Sequence, residues 1–91
     1  MEKLTERKLK DEVEKLGGLC IKFFCPTFTG LPDRIVLLPG AKIGFVEVKD
    51  AGKKPNGRQA YVHELLKRLG FKVYVLDLPQ QITQILKAIQ S

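Results

Sequence analysis

Cysteine clusters, repeats and long apolar runs are all missing from this chain. Its 91 residues include only two cysteines, Cys20 and Cys25, and one histidine. Two cysteines five positions apart make neither a disulfide framework nor a zinc site, because no further Cys completes a ligand set. Cys20 is expected to be buried in a strand and Cys25 to be free at its end. No stretch is apolar for long enough to cross a bilayer and no signal-peptide pattern is present, so an intracellular protein is expected. Without repeats, linkers or low-complexity segments, residues 1–91 are expected to form one small domain with a thin margin of stability.

Cationic charge, by contrast, is plentiful. Sixteen Lys and Arg against ten Asp and Glu give a formal net charge of +6. That excess favours a polyanionic partner, with nucleic acid ahead of a membrane surface.

Residues 30–49, GLPDRIVLLPGAKIGFVEVK, organise the rest. They read as strands 33–38 and 43–49 joined by a tight turn at Pro39-Gly40-Ala41-Lys42. Alternation along a strand puts Ile43, Phe45, Glu47 and Lys49 on one face, with Gly44, Val46 and Val48 on the other. An acid on a face that Ile43 and Phe45 make apolar needs a partner or a metal.

Around this hairpin, periodicity predicts a first helix over 5–16, capped by Thr5 and stapled by Leu4 on Leu9, with Gly17-Gly18 as its stop. Leu9, Val13 and Leu16 share its apolar stripe. Glu6 falls on the same side, either as an inward acid or as a first-turn Glu favoured by the helix dipole. A strand over 19–24 follows, with Lys22 on the face opposite Ile21 and Phe23, and then a loop broken by Pro26 and Gly30. After the hairpin, a polar loop over 50–57 carries Lys53 and Lys54. A second helix over 58–69 has Val62, Leu65, Leu66 and Leu69 as its stripe, with Gln59 and His63 beside it at i, i+4. A strand over 71–77 and a last helix opened by Pro79, with Ile82, Ile85, Leu86 and Ile89 on one face, complete the chain. The strand–helix–strand succession implies a parallel crossover, so a small mixed α/β sheet flanked by helices is expected.

Phosphodiester hydrolysis at neutral pH needs charge neutralisation, an activated water and help for the leaving oxygen, much of which a hard divalent cation supplies. Mg²⁺ or Mn²⁺ takes oxygen ligands, often one or two carboxylates with waters. Asp33 and Glu47 on paired strands are candidate ligands, and the Val48 carbonyl is a candidate third. Lys49 is placed to orient the attacking water or stabilise developing negative charge. Gln59 is a candidate contact to water or phosphate, and His63 a minor one. Lys22, Arg34, Lys53, Lys54 and Arg58 are candidate contacts to the nucleic-acid backbone, binding by charge rather than base identity.

The pattern Pro32-Asp33, a hairpin, then Glu47-Val48-Lys49 resembles the PD-(D/E)xK nuclease superfamily. Gly30-Leu31-Pro32-Asp33-Arg34, Phe45-Val46-Glu47-Val48-Lys49 and Gln59 with His63 resemble its VRR-NUC domain family, in its stand-alone phage and bacterial form. That resemblance implies an αβββαβ core plus a C-terminal helix, Asp33 and Glu47 as metal ligands and Lys49 as the catalytic lysine. It also implies Glu6 as a further site acid, ligating directly or through water, and Gln59 as a site residue from the second helix. The implied activity is a Mg²⁺- or Mn²⁺-dependent endodeoxyribonuclease in bacterial or phage-infected cytoplasm. Its implied substrate is branched DNA such as four-way junctions, which it cuts as a homodimer. The competing expectations are a nuclease-like module that binds nucleic acid without cutting it, and a small interaction domain.

Overall fold

The computed structural model describes residues 2–91. Its elements are helix α1 (Glu2–Lys15), strands β1 (Leu19–Lys22), β2 (Arg34–Leu38) and β3 (Lys42–Val48), helix α2 (Gly57–Arg68), strand β4 (Lys72–Leu76), a 3-10 turn (Pro79–Gln81) and helix α3 (Ile82–Gln90). The four strands form one sheet in the order β1-β2-β3-β4. β1/β2 and β2/β3 pair antiparallel, and β3/β4 pair parallel across the α2 crossover. This is the mixed α/β sheet expected.

The alternation of β3 divides the molecule. Val46 and Val48 are fully buried and join Val36, Leu38 and Leu76 in a core with Leu9 and Val13 of α1 and the Ile82, Ile85, Leu86 and Ile89 stripe of α3. Phe45 and Glu47 face the other way, toward α2, where Val62, His63 and Val73 are also buried. Phe45 meets Phe71 edge-on at 5.7 Å between ring centroids and Phe23 at 6.1 Å. One face of the sheet therefore carries the apolar core, and the other buries a carboxylate.

Several local expectations need correction. α1 already includes Glu2, so Thr5 lies inside the helix, where it is buried, and is not its N-cap. Leu4 is 66 % exposed and makes no staple on Leu9. Thr5 is 4 % exposed, and its burial within the helix outweighs the preference of Thr for caps. Leu16 and Leu69 fall at helix ends and are exposed, so each apolar stripe is one residue shorter than expected. The stop of α1 is as expected: Gly17, with φ of +84°, lets the Gly18 N–H reach the Val13 carbonyl at 3.0 Å while its own N–H donates to Glu14 at 2.9 Å. Cys20 is buried and Cys25 is a free thiol.

Candidate active site

Backbone hydrogen bonds place the two hairpin acids together. Asp33 sits just before β2, where its carbonyl accepts from the Phe23 N–H at 2.7 Å and thereby closes the end of β1 against it. Its side-chain Oδ2 accepts the Val48 N–H at 2.8 Å, fastening it to the end of β3. Arg34 is opposite Val46 in the register, so Asp33, one residue earlier, faces the other side of the sheet with Glu47. Lys49 continues the line of β3 because its N–H donates to the Leu76 carbonyl at 2.9 Å.

Glu47 is only 2 % exposed. Its Oε2 is 3.5 Å from Lys49 Nζ and accepts from Gln59 Nε2 at 3.2 Å. Gln59 reaches it because α2 begins with a capping box: the Asn56 side chain accepts the Gln59 N–H at 2.9 Å, and Gln59 Oε1 accepts the Asn56 N–H at 3.0 Å. One helical turn on, His63 Nε2 lies 4.0 Å from Glu47 Oε1. Those two atoms are buried and have no hydrogen-bond partner among the described residues.

Burial pushes the Glu47 pKa up to about 7, and the neighbouring Asp33 carboxylate adds to the rise, opposed by Lys49. Burial pushes the His63 pKa down, with the cations Lys67 and Lys49 adding to the effect, so the ring is held neutral. A buried carboxylate with one orphaned oxygen beside a second carboxylate is a site short of positive charge. A hard cation with oxygen ligands fits this donor set, and Asp33 and Glu47 are the residues able to hold it. No cluster of three or more Asp, Glu, His or Cys suited to a metal occurs among the described residues, so water must complete such a sphere.

The comparisons with known proteins agree with this geometry. No family model matches the chain. The protein named "Putative nuclease p44" from Acyrthosiphon pisum secondary endosymbiont phage 1 is 46 % identical over 84 residues, covering 92 % of this chain and 89 % of its own. A solved structure described as a VRR_NUC domain superposes with a TM-score of 0.89 at 34 % identity, covering 94 % of each chain. The chain belongs to the VRR-NUC family.

Not every expected site residue is gathered in this VRR-NUC protein. Asp33, Glu47, Lys49, Gln59 and His63 come together on the α2 side, and the Val48 backbone joins them through its bond to Asp33. Glu6 does not. Its Oε2 accepts from Arg34 Nη2 at 2.8 Å and Arg34 Nε at 3.3 Å, on the face that carries Val46. Arg34, expected to contact the nucleic-acid backbone, has a side chain that is 15 % exposed and engaged with Glu6. Lys22 is opposite Arg34 in the register, so it too lies on the α1 side, where both residues line an open cleft with Lys3, Arg7 and Lys10. Lys53 and Lys54 are exposed in the loop before α2, anchored by the Gly52 N–H donating to Asp77 Oδ2 at 3.1 Å. Arg58 acts as a strut: its Nε donates to the Thr29 carbonyl at 3.1 Å, and its guanidinium lies 5.2 Å from the Phe28 ring and 5.8 Å from Tyr61.

Sequence reading undervalued His63, which is 5 % exposed against the buried carboxylate. The i, i+4 spacing already put His63 beside Gln59, and the unused signal was Asn56-x-x-Gln59, a capping-box spacing that fixes where the helix begins.

Proposed function

We propose that this VRR-NUC protein is a divalent-metal-dependent DNA endonuclease, selective for branched DNA such as four-way junctions and active as a homodimer. The observation that supports catalysis is the buried Glu47 carboxylate, paired with Asp33, one oxygen unpartnered and Lys49 Nζ 3.5 Å from the other. Bound Mg²⁺ or Mn²⁺ supplies Lewis-acid polarisation of the phosphate and lowers the pKa of water.

The chain's own residues do the rest. Asp33 and Glu47 hold the cation, with the Val48 carbonyl as a further oxygen ligand. The Val48 N–H keeps Asp33 Oδ2 fixed, which limits the rearrangement needed on binding. Gln59 Nε2 holds the Glu47 carboxylate in one orientation, and neutral His63 packs beside Oε1 without neutralising it. Lys49 Nζ, on a side chain 22 % exposed, orients the water and offsets charge developing on the phosphate. Lys53 and Lys54 contact the DNA backbone. Glu6 supports Arg34 rather than the cation.

A two-fold dimer suits a two-fold junction, because each protomer presents the same site to an equivalent strand. Leu19 and Ile21, both exposed on β1 at the sheet edge, offer apolar surface for a second copy. The test is cleavage of labelled four-way junctions, flaps and linear duplexes, with and without Mg²⁺ or Mn²⁺. Paired symmetric nicks in the junction, absent in chelator, are expected. Salt-sensitive binding without cleavage of any substrate would leave a non-catalytic binding module instead.

A further inference from the structure

Three of the chain's seven aromatic residues are exposed around one loop next to the acids. Phe24 is 82 % exposed, Phe28 44 % and Tyr61 55 %. Isolated exposed aromatics need no explanation. Phe28 and Tyr61 are not isolated, because the Arg58 guanidinium lies against both while its Nε bonds the loop carbonyl of Thr29, and Phe24 shares a cleft with Phe28.

The loop is also rigidly placed. At one end the Phe23 N–H is bonded to the Asp33 carbonyl, which puts Phe24 one residue beyond a direct link to a candidate metal ligand. At the other end Gly30 packs so closely on α2 that an added Cβ would meet Arg58 Cγ at 2.9 Å and Val62 Cγ2 at 3.0 Å. Between them lies an open cleft of about 430 Å³ whose walls include Phe24, Phe28 and Asp33. That volume falls within the ordinary range for small-ligand sites, about 300–1,000 Å³.

We infer that Phe24 and Phe28, the latter backed by Arg58, form a stacking site for unpaired nucleobases beside the cleavage site. The inference rests on the nuclease reading for its location, and it adds to that reading a preference for a base that is unpaired or unstacked at the branch point adjoining the cut. Bases within a duplex have both faces covered by their neighbours, whereas an unpaired base offers a π-face to an aromatic ring or guanidinium plane. Such stacking tolerates any base, which suits selection by structure rather than sequence. Phe24 and Asp33 border the same cleft, so a base resting on Phe24 lies beside that acid.

The chain contains no tryptophan, so Phe24→Trp introduces a single indole as a reporter and preserves an aromatic surface. Placed in the Lys49→Ala background with Mg²⁺, it is titrated with an oligothymidine single strand and with a blunt duplex of equal length. Expected is strong fluorescence quenching by the single strand and little by the duplex at equal occupancy. Phe24→Ala is expected to weaken single-strand binding roughly 5- to 150-fold and to leave duplex binding nearly unchanged. Equal quenching by both DNAs, or unaltered single-strand affinity in Phe24→Ala, overturns the stacking site. Metal-dependent cleavage by the otherwise unaltered protein is scored separately. Quenching without any such cleavage sinks the nuclease reading alone, and cleavage without quenching sinks the stacking site alone.

Discussion

Gln59 Nε2 donates to Glu47 Oε2 at 3.2 Å, while the Oε1 of the same amide accepts the Asn56 N–H at 3.0 Å. One side chain therefore couples the start of α2 to the buried acid. Gln59→Glu retains the acceptor that the cap requires but replaces the donor to Glu47 with a third negative charge. Gln59→Ala removes both functions. We expect the alanine variant to lose about 0.5–2 kcal/mol of stability through the cap. The glutamate variant should keep most of that cap stability in chelator and, with an added carboxylate beside the cation, cleave faster than the alanine variant at limiting Mn²⁺. Denaturation and cleavage measured side by side check both halves, and equal loss of stability in the two variants would contradict the cap assignment.

Lys49→Ala addresses the chemistry. The lysine backbone N–H stays bonded to Leu76, so the strand line survives removal of the side chain. Loss of a charge-stabilising donor of this kind costs about 10²–10³ in rate. The expected result is that loss in single-turnover cleavage with DNA binding retained. An unchanged rate would remove Lys49 from the mechanism.

Glu47 gives the metal-free protein a pH dependence whose sign follows from burial. Its folded pKa is raised from 4.5 to about 7, so the folded state holds this proton more tightly than the unfolded state does. Its contribution is fully present below the unfolded pKa and is lost as pH rises through about 7. His63 works in the opposite direction: its lowered pKa favours folding above the ordinary imidazole range, and that gain is lost as pH falls through the depressed value. Comparing Glu47→Gln with the parent isolates the acid. In chelator, the variant should be more stable than the parent by roughly 1–3 kcal/mol at about pH 8, with the difference vanishing toward about pH 4. Mn²⁺ should stabilise the parent at the higher pH and leave the variant largely unmoved. Urea denaturation at both pH values is the measurement.

These residues also show how far the chain could be read without its structure. The two faces of residues 43–49 were legible because a strand has a period of two and, Gly44 aside, four side chains are apolar and two are charged. The approach of Asp33 to Glu47 followed from the hairpin. The helix wheel of α1 gave Glu6 an inward direction correctly, but a wheel cannot say which face of the sheet the helix covers. The register does: Arg34 opposite Val46 puts the Glu6 pair on the side away from Glu47. The local contacts of Arg58 were hidden for a related reason. Its partners are a loop carbonyl and two rings, contacts with no spacing rule along the chain.

The placement of Glu6 has its own test. If the carboxylate serves Arg34 alone, Glu6→Gln should cost about 1 kcal/mol of stability, since the pair is only partly buried. Mn²⁺ affinity by calorimetry and cleavage at saturating metal should stay near parental. A large loss of Mn²⁺ affinity would return Glu6 to the ligand set.

The apolar side of the sheet supplies a control that should leave the chemistry intact. Gly44 lies on β3 under α3, where an added Cβ would meet the Ile89 side chain at 2.5 Å. Ile89 is 1 % exposed and packed in the α1–α3 core, so it has little room to withdraw. Gly44→Ala should therefore destabilise by about 1–3 kcal/mol through overpacking. Adding Ile89→Val trims the colliding side chain and should recover part of that loss, although the two changes will not be additive because the residues touch. Glu47, three residues along the same strand, faces the opposite side. Cleavage per folded molecule should thus be unchanged in both variants, even as the denaturation midpoint shifts. A fall in that specific rate would mean that α3 packing sets the position of the Glu47 carboxylate through the strand, and that the two faces of β3 are not independent.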